Sequence, residues 1–455
     1  MTVDRSTQAW VRRLIDPASW NAWHEVQPGH ATCGCTADNE IRCGRARIDG
    51  VHAAVITIGS ASGVATLTAH VTAQLAATFE RARAERLPVV AVASSGGVRL
   101  QEGTRTFVAM AAVAAAVTAH RDAGLLFLCY YTNPTTGGAL VSWAGHAAVR
   151  AAEPDALVAF SGPRVAELAG GESDAAQARK AESLLDAGVI DAVVPPGSLR
   201  HFVSAVLHGT VGGDRPQRVH RPEPAPPGPV DAWPAILRTR DHDRPGLREL
   251  LAHLDEPVQL RGDGYGGGDD PTVIASVGRL RGRRVLVVGH DRAAGPDRAS
   301  VTVAGMRKAA RALELATRLE LPMVSVIDTP GVRPGPAAEA DGIGFHLAAA
   351  LADRARSRAT LVSVLLGEGA GGAALALLPA QYTIAAASAW LAPLSPEGSS
   401  AVLFHTVERA PEIAAKQHLT SADLVSMGVV DLVIAEDGDW IARIVDAVAV
   451  AIAPD

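Results

Sequence analysis

The amino-acid sequence predicts an α/β protein built from two tandem copies of one unit. The first observation is an internal repeat, because LPVVAVASSGGVR begins at Leu87 and LPMVSVIDTPGVR begins 234 positions later, at Leu321. Repeats of this kind indicate a duplicated architecture. The second observation is that short apolar runs alternate with Ala-rich stretches in both copies, which is typical of βα units around a mostly parallel sheet. The third is that a pair of glycines follows an apolar run in each copy.

The elements of the first copy follow from its apolar pattern. Residues 66–86 have a helical pattern, and residues 87–94 (LPVVAVAS) form a continuous apolar run typical of a buried strand. A second helix is predicted at 106–124 and a second strand at 125–131 (LLFLCYY). The second copy repeats this order.

The repeat divides the chain into three parts. Residues 1–210 contain the first copy, recognisable at 40–200, and residues 271–455 contain the second, recognisable at 270–440. Residues 211–270 are predicted to form a linker, because RPQRVHRPEPAPPGPVDAWP is rich in proline and charge and GDGYGGGDDP is rich in glycine. RPGLRELLAHL, between these two stretches, predicts a short helix within the linker.

Composition and charge exclude several classes of protein. With 48% hydrophobic and 20% charged residues, the chain of 455 residues suits a globular protein with an ample core. The formal net charge of −6 argues against nucleic acid and membrane surfaces as partners. No apolar stretch of about 18 residues stands out as a membrane span. Residues 1–17 have charges where a signal peptide has an apolar centre, so we expect a cytoplasmic protein.

The two glycine pairs lie where a predicted strand meets a helix. Gly137 and Gly138 follow LLFLCYYTNPTT, and Gly371 and Gly372 follow LVSVLLGEGA at the same place in the second copy. The start of a helix has unpaired N–H groups and a partial positive charge, and glycine lets another oxygen approach these amides closely. Two amides aimed at one point form an oxyanion hole, which stabilises an enolate or a tetrahedral oxyanion. The alternative is that the glycines only permit tight packing of strand on helix.

The second pair also overlaps a dinucleotide-binding motif. Gly367, Gly369 and Gly372 spell G-x-G-x-x-G after a strand, but the acidic residue expected about 20 positions later is missing and the first copy has no such motif. The sequence also lacks H-E-x-x-H, Walker A and G-x-S-x-G motifs. A site without an evident acid, base or nucleophile suits chemistry that mainly requires stabilisation of an enolate.

The cysteines raise the question of a metal site. Cys129 lies in an apolar strand and is interpreted as a core residue, whereas His30, Cys33, Cys35 and Cys43 spell H-x2-C-x-C-x7-C, a set of ligands that can hold zinc. Structural zinc sites usually use C-x2-C pairs, and a second pair is missing here. We therefore predict no tightly bound metal and interpret the clustered cysteines as reduced thiols of a loop.

Longer motifs resemble the carboxyltransferase component of biotin-dependent acyl-CoA carboxylases, with the β and α subunits fused in that order. Besides its GVIDAVV ending, the first copy is similar to the β type in SSGGVRLQEG (94–103), NPTTGGALVSWA (133–144) and AEPDALVAFSGPRV (152–165). The second copy is similar to the α type in DTPGVRPGPAAEADG (328–342), LGEGAGGAALALLP (366–379) and APLSPEGSSAVLF (392–404). The resemblance implies a crotonase-like ββα-superhelix in each half of the chain.

The resemblance also implies a role for each glycine pair. Gly137 and Gly138 would hold the thioester oxygen of a short acyl-CoA, such as acetyl-CoA on its way to malonyl-CoA, and would stabilise its enolate. Gly371, Gly372 and Ala373 would hold the ureido oxygen of carboxybiotin, which supplies both the CO2 and the base for the α-proton. Further substrate-binding residues are expected beside the two pairs: Gly96, Gly97, Arg99, Arg105, Arg164 and Gly331. The arginines among them are candidates for the phosphates of coenzyme A, because the chain is acidic overall.

Biotin would reach this chain on another protein. The sequence has neither the Met-Lys-Met of a biotin acceptor nor a glycine-rich ATP-grasp segment. The resemblance therefore implies two partners, a biotin carboxyl carrier protein and a biotin carboxylase, with carrier-bound biotin as cofactor and a coenzyme A thioester as substrate. In the family, the first half of one chain faces the second half of another, so we expect a homodimer or a multiple of dimers.

Three departures from the family leave alternatives open. The zinc ribbon of separate β subunits is not recognisable, GSASGV stands where a Gly-Gly-Ser segment is usual, and SGGVRLQE also resembles the β subunit of malonate decarboxylases. A biotin-independent malonyl-thioester decarboxylase is thus one alternative, and a non-catalytic scaffold subunit of a carboxylase complex is another. The DTPG and SPEG motifs of the second copy argue against the decarboxylase, and the two intact glycine pairs argue against the scaffold.

Overall fold

The structure is a computed structural model that describes residues 4, 6–24, 39–60, 65–102, 104–160, 180–212, 230–294, 300–332 and 335–453. It divides into two compact units. The first consists of residues 1–211 with 264–267, and the second of residues 212–263 with 268–455. Among the helices of the described residues, none is both long enough and apolar enough to cross a membrane.

The first unit is built around a nine-stranded sheet. Its strands are β1 Asn21–His24, β2 Asn39–Ile48, β3 Val51–Ser60, β4 Ala65–Leu67, β5 Val89–Val98, β6 Phe127–Thr136, β7 Val149–Ala152, β8 Val158–Ala159 and β9 Ala192–Val193. The main path runs β1-β2-β3-β5-β6-β7-β9, with β4 beside β5 and β8 beside β6. Strands β1 to β3 pair antiparallel, and the other neighbours pair parallel.

Helices connect the parallel strands of this sheet. They are α1 Thr7–Leu14, α2 Ala69–Ala84, α3 Thr104–Asp122, α4 Gly138–Ser142, α5 Ala181–Asp186 and α6 Leu199–Thr210, with 3-10 turns at Leu100–Glu102, Ala144–His146 and Pro196–Ser198. The apolar faces of strands and helices meet in one core, where Phe79, Phe127 and Trp143 are fully buried. Phe79 and Phe127 pack edge to face with 5.0 Å between their ring centroids.

The second unit is built around an eight-stranded sheet. Its strands are β10 Leu254–Leu260, β11 Val273–Leu280, β12 Arg283–His290, β13 Met323–Thr329, β14 Leu361–Ala370, β15 Tyr382–Ala386, β16 Trp390–Ala392 and β17 Leu432–Ile434. The main path runs β10-β11-β12-β13-β14-β15-β17, with β16 beside β14. Strands β10 to β12 pair antiparallel and the later neighbours pair parallel, as in the first unit.

The helices of the second unit include part of the segment that the sequence assigns to a linker. They are α7 Ala232–Thr239, α8 Leu247–Leu251, α9 Val303–Arg318, α10 Pro336–Ala340, α11 Ile343–Arg356, α12 Gly371–Leu377, α13 Pro396–Phe404, α14 Ala410–Lys416, α15 Ser421–Ser426 and α16 Trp440–Ala451. Residues 230–260 thus supply α7, α8 and β10. Ile236, Leu247 and Leu254 are buried there, and Ile236 packs in one apolar cluster with Ala370 and Trp390, so this part of the chain is packed into the second unit.

A short stretch of the second half of the sequence belongs to the first unit. The N–H of Gly264 donates to the carbonyl of Gly188 at 3.0 Å, and the Arg150 guanidinium donates to the carbonyl of Gly264. The same guanidinium lies 5.8 Å from the centre of the Tyr265 ring. These contacts hold residues 264–267 against the strand that contains Arg150.

The two units follow one plan. Helices α2 and α9, and strands β6 and β14, begin and end at positions 234 apart. Thr68 and Thr302 cap α2 and α9 in the same way, because each hydroxyl accepts an N–H from the first turn. Both β6 and β14 run into a glycine pair and a short helix. The prediction of two tandem α/β units is therefore confirmed.

Candidate active site

Two strand ends meet at the first glycine site, which we define as Gly97, Gly137 and Gly138. Gly97 lies near the end of β5 with φ at +105°, a conformation that favours glycine. A methyl group placed on Gly97 would lie 3.5 Å from both the Cα of Gly137 and the nitrogen of Gly138. The backbone of β5 therefore runs directly beside the start of α4.

The two amides of the first pair have different roles. Gly137 has φ at +61° and precedes α4, and its N–H donates to the carbonyl of Ala159 at 3.1 Å. Gly138 begins α4, so its N–H has no acceptor inside the helix. The amide of Gly137 thus fixes the turn, whereas the amide of Gly138 has no acceptor within α4.

The second glycine site, which we define as Gly331, Gly371 and Gly372, has the same backbone geometry. Gly331 has φ at +104° and Gly371 has φ at +67°, close to the values at Gly97 and Gly137. A methyl group on Gly331 would lie 3.1 Å from the carbonyl oxygen of Ala370, and one on Gly372 would lie 2.7 Å from Leu347 Cδ1. Side chains larger than hydrogen would fill this cradle.

In both sites, a hydroxyl group two residues earlier in the chain accepts the N–H of the first glycine, Gly97 or Gly331. The N–H of Gly97 donates to Ser95 Oγ at 3.2 Å, and the N–H of Gly331 donates to Thr329 Oγ1 at 3.1 Å. Ser95 and Thr329 are buried and occupy corresponding positions of the repeat. The hydroxyls hold the two glycine turns in the same orientation.

The other predicted site residues differ in their exposure and in their hydrogen bonds. Gly96 is exposed at the end of β5, and Ala373 is fully buried in α12. Arg99 is half-buried, with its N–H on the carbonyl of Leu67 at 2.8 Å and its Nε on Thr66 Oγ1 at 3.1 Å. The side chain of Arg105 and the whole of Arg164 lie outside the described residues.

Packing explains the glycines of the dinucleotide-like motif. A methyl group on Gly367 would lie 2.3 Å from Asp328 Oδ1, and one on Gly369 would lie 2.8 Å from the carbonyl oxygen of Trp390. Both glycines therefore lie in β14 because neighbouring groups occupy the space of a side chain. This agrees with the rejection of a dinucleotide site from the sequence.

Sequence reasoning missed a buried polar cluster beside the second glycine site. We define it as Arg240, Arg292, Asp328, Glu368 and Glu397. Arg240 donates through Nε to Glu368 Oε1 at 2.6 Å and through its terminal nitrogens to the carboxylate of Glu397. Asp328, Glu368 and Glu397 all lie in motifs that carry the family resemblance, which was the available signal.

Asp328 is the least solvated carboxylate of this polar cluster. Its Oδ1 accepts the N–H of Glu368 at 3.0 Å, whereas its Oδ2 faces Arg292 Nε at 3.5 Å and accepts no hydrogen bond from the described residues. Complete burial raises its pKa to about 6, although the charges of Arg292 and Arg244 act in the opposite direction.

The cysteine cluster is only partly described. Cys43 lies in β2 within the core of the first unit, and burial raises the pKa of its thiol to about 12. The sequence suggested a thiol in a loop. Cys43 instead lies in a strand and is buried, so its thiol is an unreactive packing group. His30, Cys33 and Cys35 lie outside the described residues.

Exposed apolar side chains lie on the helices next to both glycine sites. Phe107 on α3 is 65% exposed, and Met110 of the same helix would lie 2.9 Å from a methyl group on Gly138. Phe345 on α11 is 85% exposed, two positions before Leu347, which adjoins Gly372. Each glycine site is therefore adjoined by a helix that also carries an exposed phenylalanine.

The fold and the paired amides define an α/β enzyme of the crotonase-like class, whose sites polarise carbonyl oxygens. Comparison with known families agrees with this class. Residues 10–206 match the carboxyl transferase domain family, and residues 228–452 match the acetyl co-enzyme A carboxylase carboxyltransferase-like family.

Similar proteins extend the match over nearly the whole chain. A Mycobacterium tuberculosis protein named "probable biotin-dependent acyl-coenzyme A carboxylase beta3 subunit" is 40% identical over 433 residues, which cover 94% of this chain and 85% of the relative. The acetyl-coenzyme A carboxylase carboxyl transferase subunits beta/alpha of Saccharopolyspora erythraea are 36% identical, with coverage of 88% and 72%. The Salinispora tropica protein of the same name is 34% identical, with coverage of 94% and 82%.

Solved structures confirm the crotonase-like fold. The transcarboxylase 12S core, crystallised with methylmalonyl-coenzyme A, has a TM-score of 0.78 at 21% identity and matches 98% of this chain and 89% of its own. A single-chain long-chain acyl-CoA carboxylase has a TM-score of 0.74 at 20% identity, with coverage of 97% and 45%.

The chain thus belongs to the carboxyltransferases of biotin-dependent acyl-CoA carboxylases. It is the enzyme component that transfers a carboxyl group to an acyl-CoA, as the sequence motifs predicted.

Proposed function

We propose that the first glycine site binds the acyl-CoA thioester and that the second binds carboxybiotin. The observation that carries this proposal is the repeated geometry of the two sites, with φ near +105° at Gly97 and +104° at Gly331 and a glycine-started helix beside each. Two equivalent oxyanion sites suit a reaction in which two oxygens gain negative charge, the thioester oxygen and the ureido oxygen.

At the first site, the amide of Gly138 polarises the thioester carbonyl and the α4 dipole favours the enolate that forms. The buried Ser95 hydroxyl keeps the Gly97 turn in place. Because fixed amides need no reorganisation during the reaction, they stabilise the transition state more than the substrate.

The second site fits biotin by the same criteria. The start of α12 has N–H groups without acceptors inside the helix, which can bind a ureido oxygen, and the apolar side chain of Leu347 beside Gly372 suits the carbon skeleton of biotin. When bound, carboxybiotin supplies CO2 and a base for the α-proton. The amides of Gly371, Gly372 and Ala373 then hold and polarise the ureido oxygen.

Coenzyme A is assigned to the first unit, with Arg99, Arg105 and Arg164 as partners for its phosphates. We propose a short acyl group, with acetyl-CoA as the first choice, because the relatives from Saccharopolyspora and Salinispora carry acetyl-coenzyme A carboxylase names. Malonyl-CoA for fatty acid synthesis is the corresponding product. The cytoplasm stays the expected compartment.

The proposed reaction requires partners. A biotin carboxyl carrier protein and a biotin carboxylase supply the carboxybiotin, as the names of the biotin-dependent relatives suggest. A second copy of the chain is proposed to complete each active site, and the exposed Phe107 and Phe345, on the helices that adjoin the two glycine sites, are candidate interface residues.

Matched glycine variants test the division of labour. A methyl group on Gly97 would strain a backbone at positive φ and lie 3.5 Å from the Gly138 nitrogen, so the strain is expected to displace this amide. Gly331→Ala imposes the same backbone strain in the second unit and places its methyl group 3.1 Å from the Ala370 carbonyl oxygen, at the start of α12. Loss of one oxyanion donor costs about 10²–10³ in rate. Both variants should therefore fail to carboxylate free biotin from malonyl-CoA, while only Gly97→Ala weakens acyl-CoA binding by calorimetry.

Two other glycines provide the controls for strain. Gly50 and Gly282 have φ of +80° and +77°, and nothing lies within 4 Å of a methyl group on either one. Gly50→Ala and Gly282→Ala should lose comparable stability and keep full carboxyl transfer. Equal acyl-CoA affinity in Gly97→Ala and Gly331→Ala would contradict the division of labour. Full activity in both variants would mean that the glycines only permit tight packing of strand on helix.

A further inference from the structure

Helix α7 packs directly behind the second glycine site. Its residues Ala232 and Ile236 share a buried apolar cluster with Ala370, the residue that precedes Gly371, and with Trp390 of β16. The indole N–H of Trp390 also donates to Thr239 Oγ1 at 3.1 Å, at the end of the helix. A helix from the segment between the repeats thus supports the backbone from which the second glycine pair starts.

Arg240 follows this helix and joins the two segments that flank the site. Its guanidinium bridges Glu368, three residues before Gly371 on β14, and Glu397, in the first turn of α13. The Arg240 and Glu368 side chains are 16% and 6% exposed, so water screens this ion pair little. Only the planar, forked guanidinium of arginine can hold two carboxylates in fixed directions at once.

A second chain of contacts connects the same helix to the same strand. The Arg292 guanidinium donates to the carbonyls of Thr239 and Arg244, at the end of α7 and just beyond it. Its Nε lies 3.5 Å from Asp328 Oδ2, and Asp328 Oδ1 in turn accepts the N–H of Glu368. Both the side chain and the backbone of Glu368 are therefore tied to α7.

The sequence of the first unit lacks the two carboxylates that such a device needs. The positions that correspond to Glu368 and Glu397 in the repeat are Pro134 and Pro163, neither of which can pair with a cation. We propose that α7 and Arg240 act as a clamp that sets the geometry of the second glycine site, with Arg240 as its positioning residue. The clamp touches no substrate and acts through Glu368 and Glu397. This inference rests on the proposed function in assigning the second site to biotin.

Kinetics with two substrates test the clamp. Arg240→Gln is assayed by carboxylation of free biotin from malonyl-CoA, with KM measured for each substrate. We expect kcat/KM for biotin to fall about tenfold or more, since displacements near 1 Å can cost about 10² in rate. The KM for malonyl-CoA should stay within about twofold. Arg240→Lys, which keeps the charge and loses the fork, should recover only part of the loss.

Two further variants keep the test decisive if Arg240→Gln folds poorly. Glu397→Gln removes only the outer carboxylate, which is 30% exposed, and should show the same selective loss for biotin in weaker form. Arg281→Gln removes an arginine whose partner Asp446 is exposed, and serves as the matched control that should behave as wild type.

The clamp is overturned if activity falls only in proportion to the folded fraction with both KM values unchanged, or if Arg281→Gln has the same effect. A selective change in the malonyl-CoA KM has a different meaning. It would support Arg240 as the positioning residue of the second site and contradict the assignment of that site to biotin.

Discussion

At the scale of single residues, the glycines of the two sites differ in what they contribute. Gly97 and Gly331 permit a turn at positive φ, and Gly137 supplies a bound amide to the carbonyl of Ala159. The sequence predicts both pairs from their place after a strand. It does not distinguish the amide of Gly137 from that of Gly138, because the acceptor at Ala159 comes from a strand that only the fold brings close.

The burial of Asp328 predicts how the free energy of unfolding depends on pH. Its folded-state pKa of about 6 exceeds the ordinary 3.8, so the folded protein holds a proton between these values that the unfolded chain has lost. The free energy of unfolding should therefore fall as pH rises from about 4 through about 6, by about 3 kcal/mol from this group. Asp328→Asn should lack this step. Urea unfolding at a series of pH values measures the difference between the two proteins.

The matched control for this substitution is Asp446→Asn, at an exposed ion pair with Arg281. If wild type and Asp328→Asn gave parallel curves of stability against pH, Asp328 would be ionised throughout and the buried carboxylate would be fully paired. The sequence could not supply this expectation. DTPG identifies Asp328 as part of a motif, whereas its burial depends on Gly367 leaving space for the carboxylate.

At the scale of elements, the sequence predicts those that repeat and also the short helix α8, but it does not predict α7 and β10. Helices and strands recur at the same spacing in both copies, so the prediction for one copy supports the prediction for the other. For this reason α2 and α9 are predictable from the sequence. The stretch from 230 to 260 occurs once, and the proline-rich sequence before it suggested a linker. Its apolar residues, Ile236 among them, become informative only when Ala370 and Trp390 are placed beside them.

The helix caps give a prediction for the elements that do repeat. Thr68 Oγ1 accepts the N–H of Val71 at 3.1 Å, and Thr68→Ala should cost about 1 kcal/mol of stability, the usual value for a lost cap. The Thr302 hydroxyl also donates to the buried carboxylate of Asp270 at 2.6 Å. Thr302→Ala should therefore cost about 1 kcal/mol more than Thr68→Ala, because it removes a hydrogen bond to a charged group as well.

Chemical denaturation of both alanine variants and of Thr68→Ser and Thr302→Ser measures these costs. The serine variants keep the hydroxyl and should lie near wild type. Equal losses at the two positions would mean that Asp270 is held by its other donors, Thr272 and the Thr302 backbone, without need of the hydroxyl.

At the scale of the whole molecule, we propose that the duplication assigns the two halves of one reaction to the two units. Two units with the same strand order can evolve to bind different ligands while the geometry of the amides stays the same. In this way one fold can stabilise two different oxyanions. The exposed Phe107 and Phe345 side chains are candidate contacts with a second chain, because aromatic residues are enriched in interfaces. We propose a homodimer in which each active site takes its first unit from one chain and its second from the other.

Mixed dimers test this arrangement. Gly97→Ala and Gly331→Ala chains are each expected to be inactive in carboxyl transfer. When they are co-expressed with different affinity tags, random pairing makes about half of the dimers mixed, and each mixed dimer has one intact site out of two. The mixture should therefore recover about a quarter of wild-type activity, and the mixed dimers purified through both tags should reach about a half. Co-expression of Gly97→Ala with the double variant Gly97→Ala/Gly331→Ala should recover nothing, since every first unit is then defective. Mixed dimers no more active than their parents would show that each site is built within one chain.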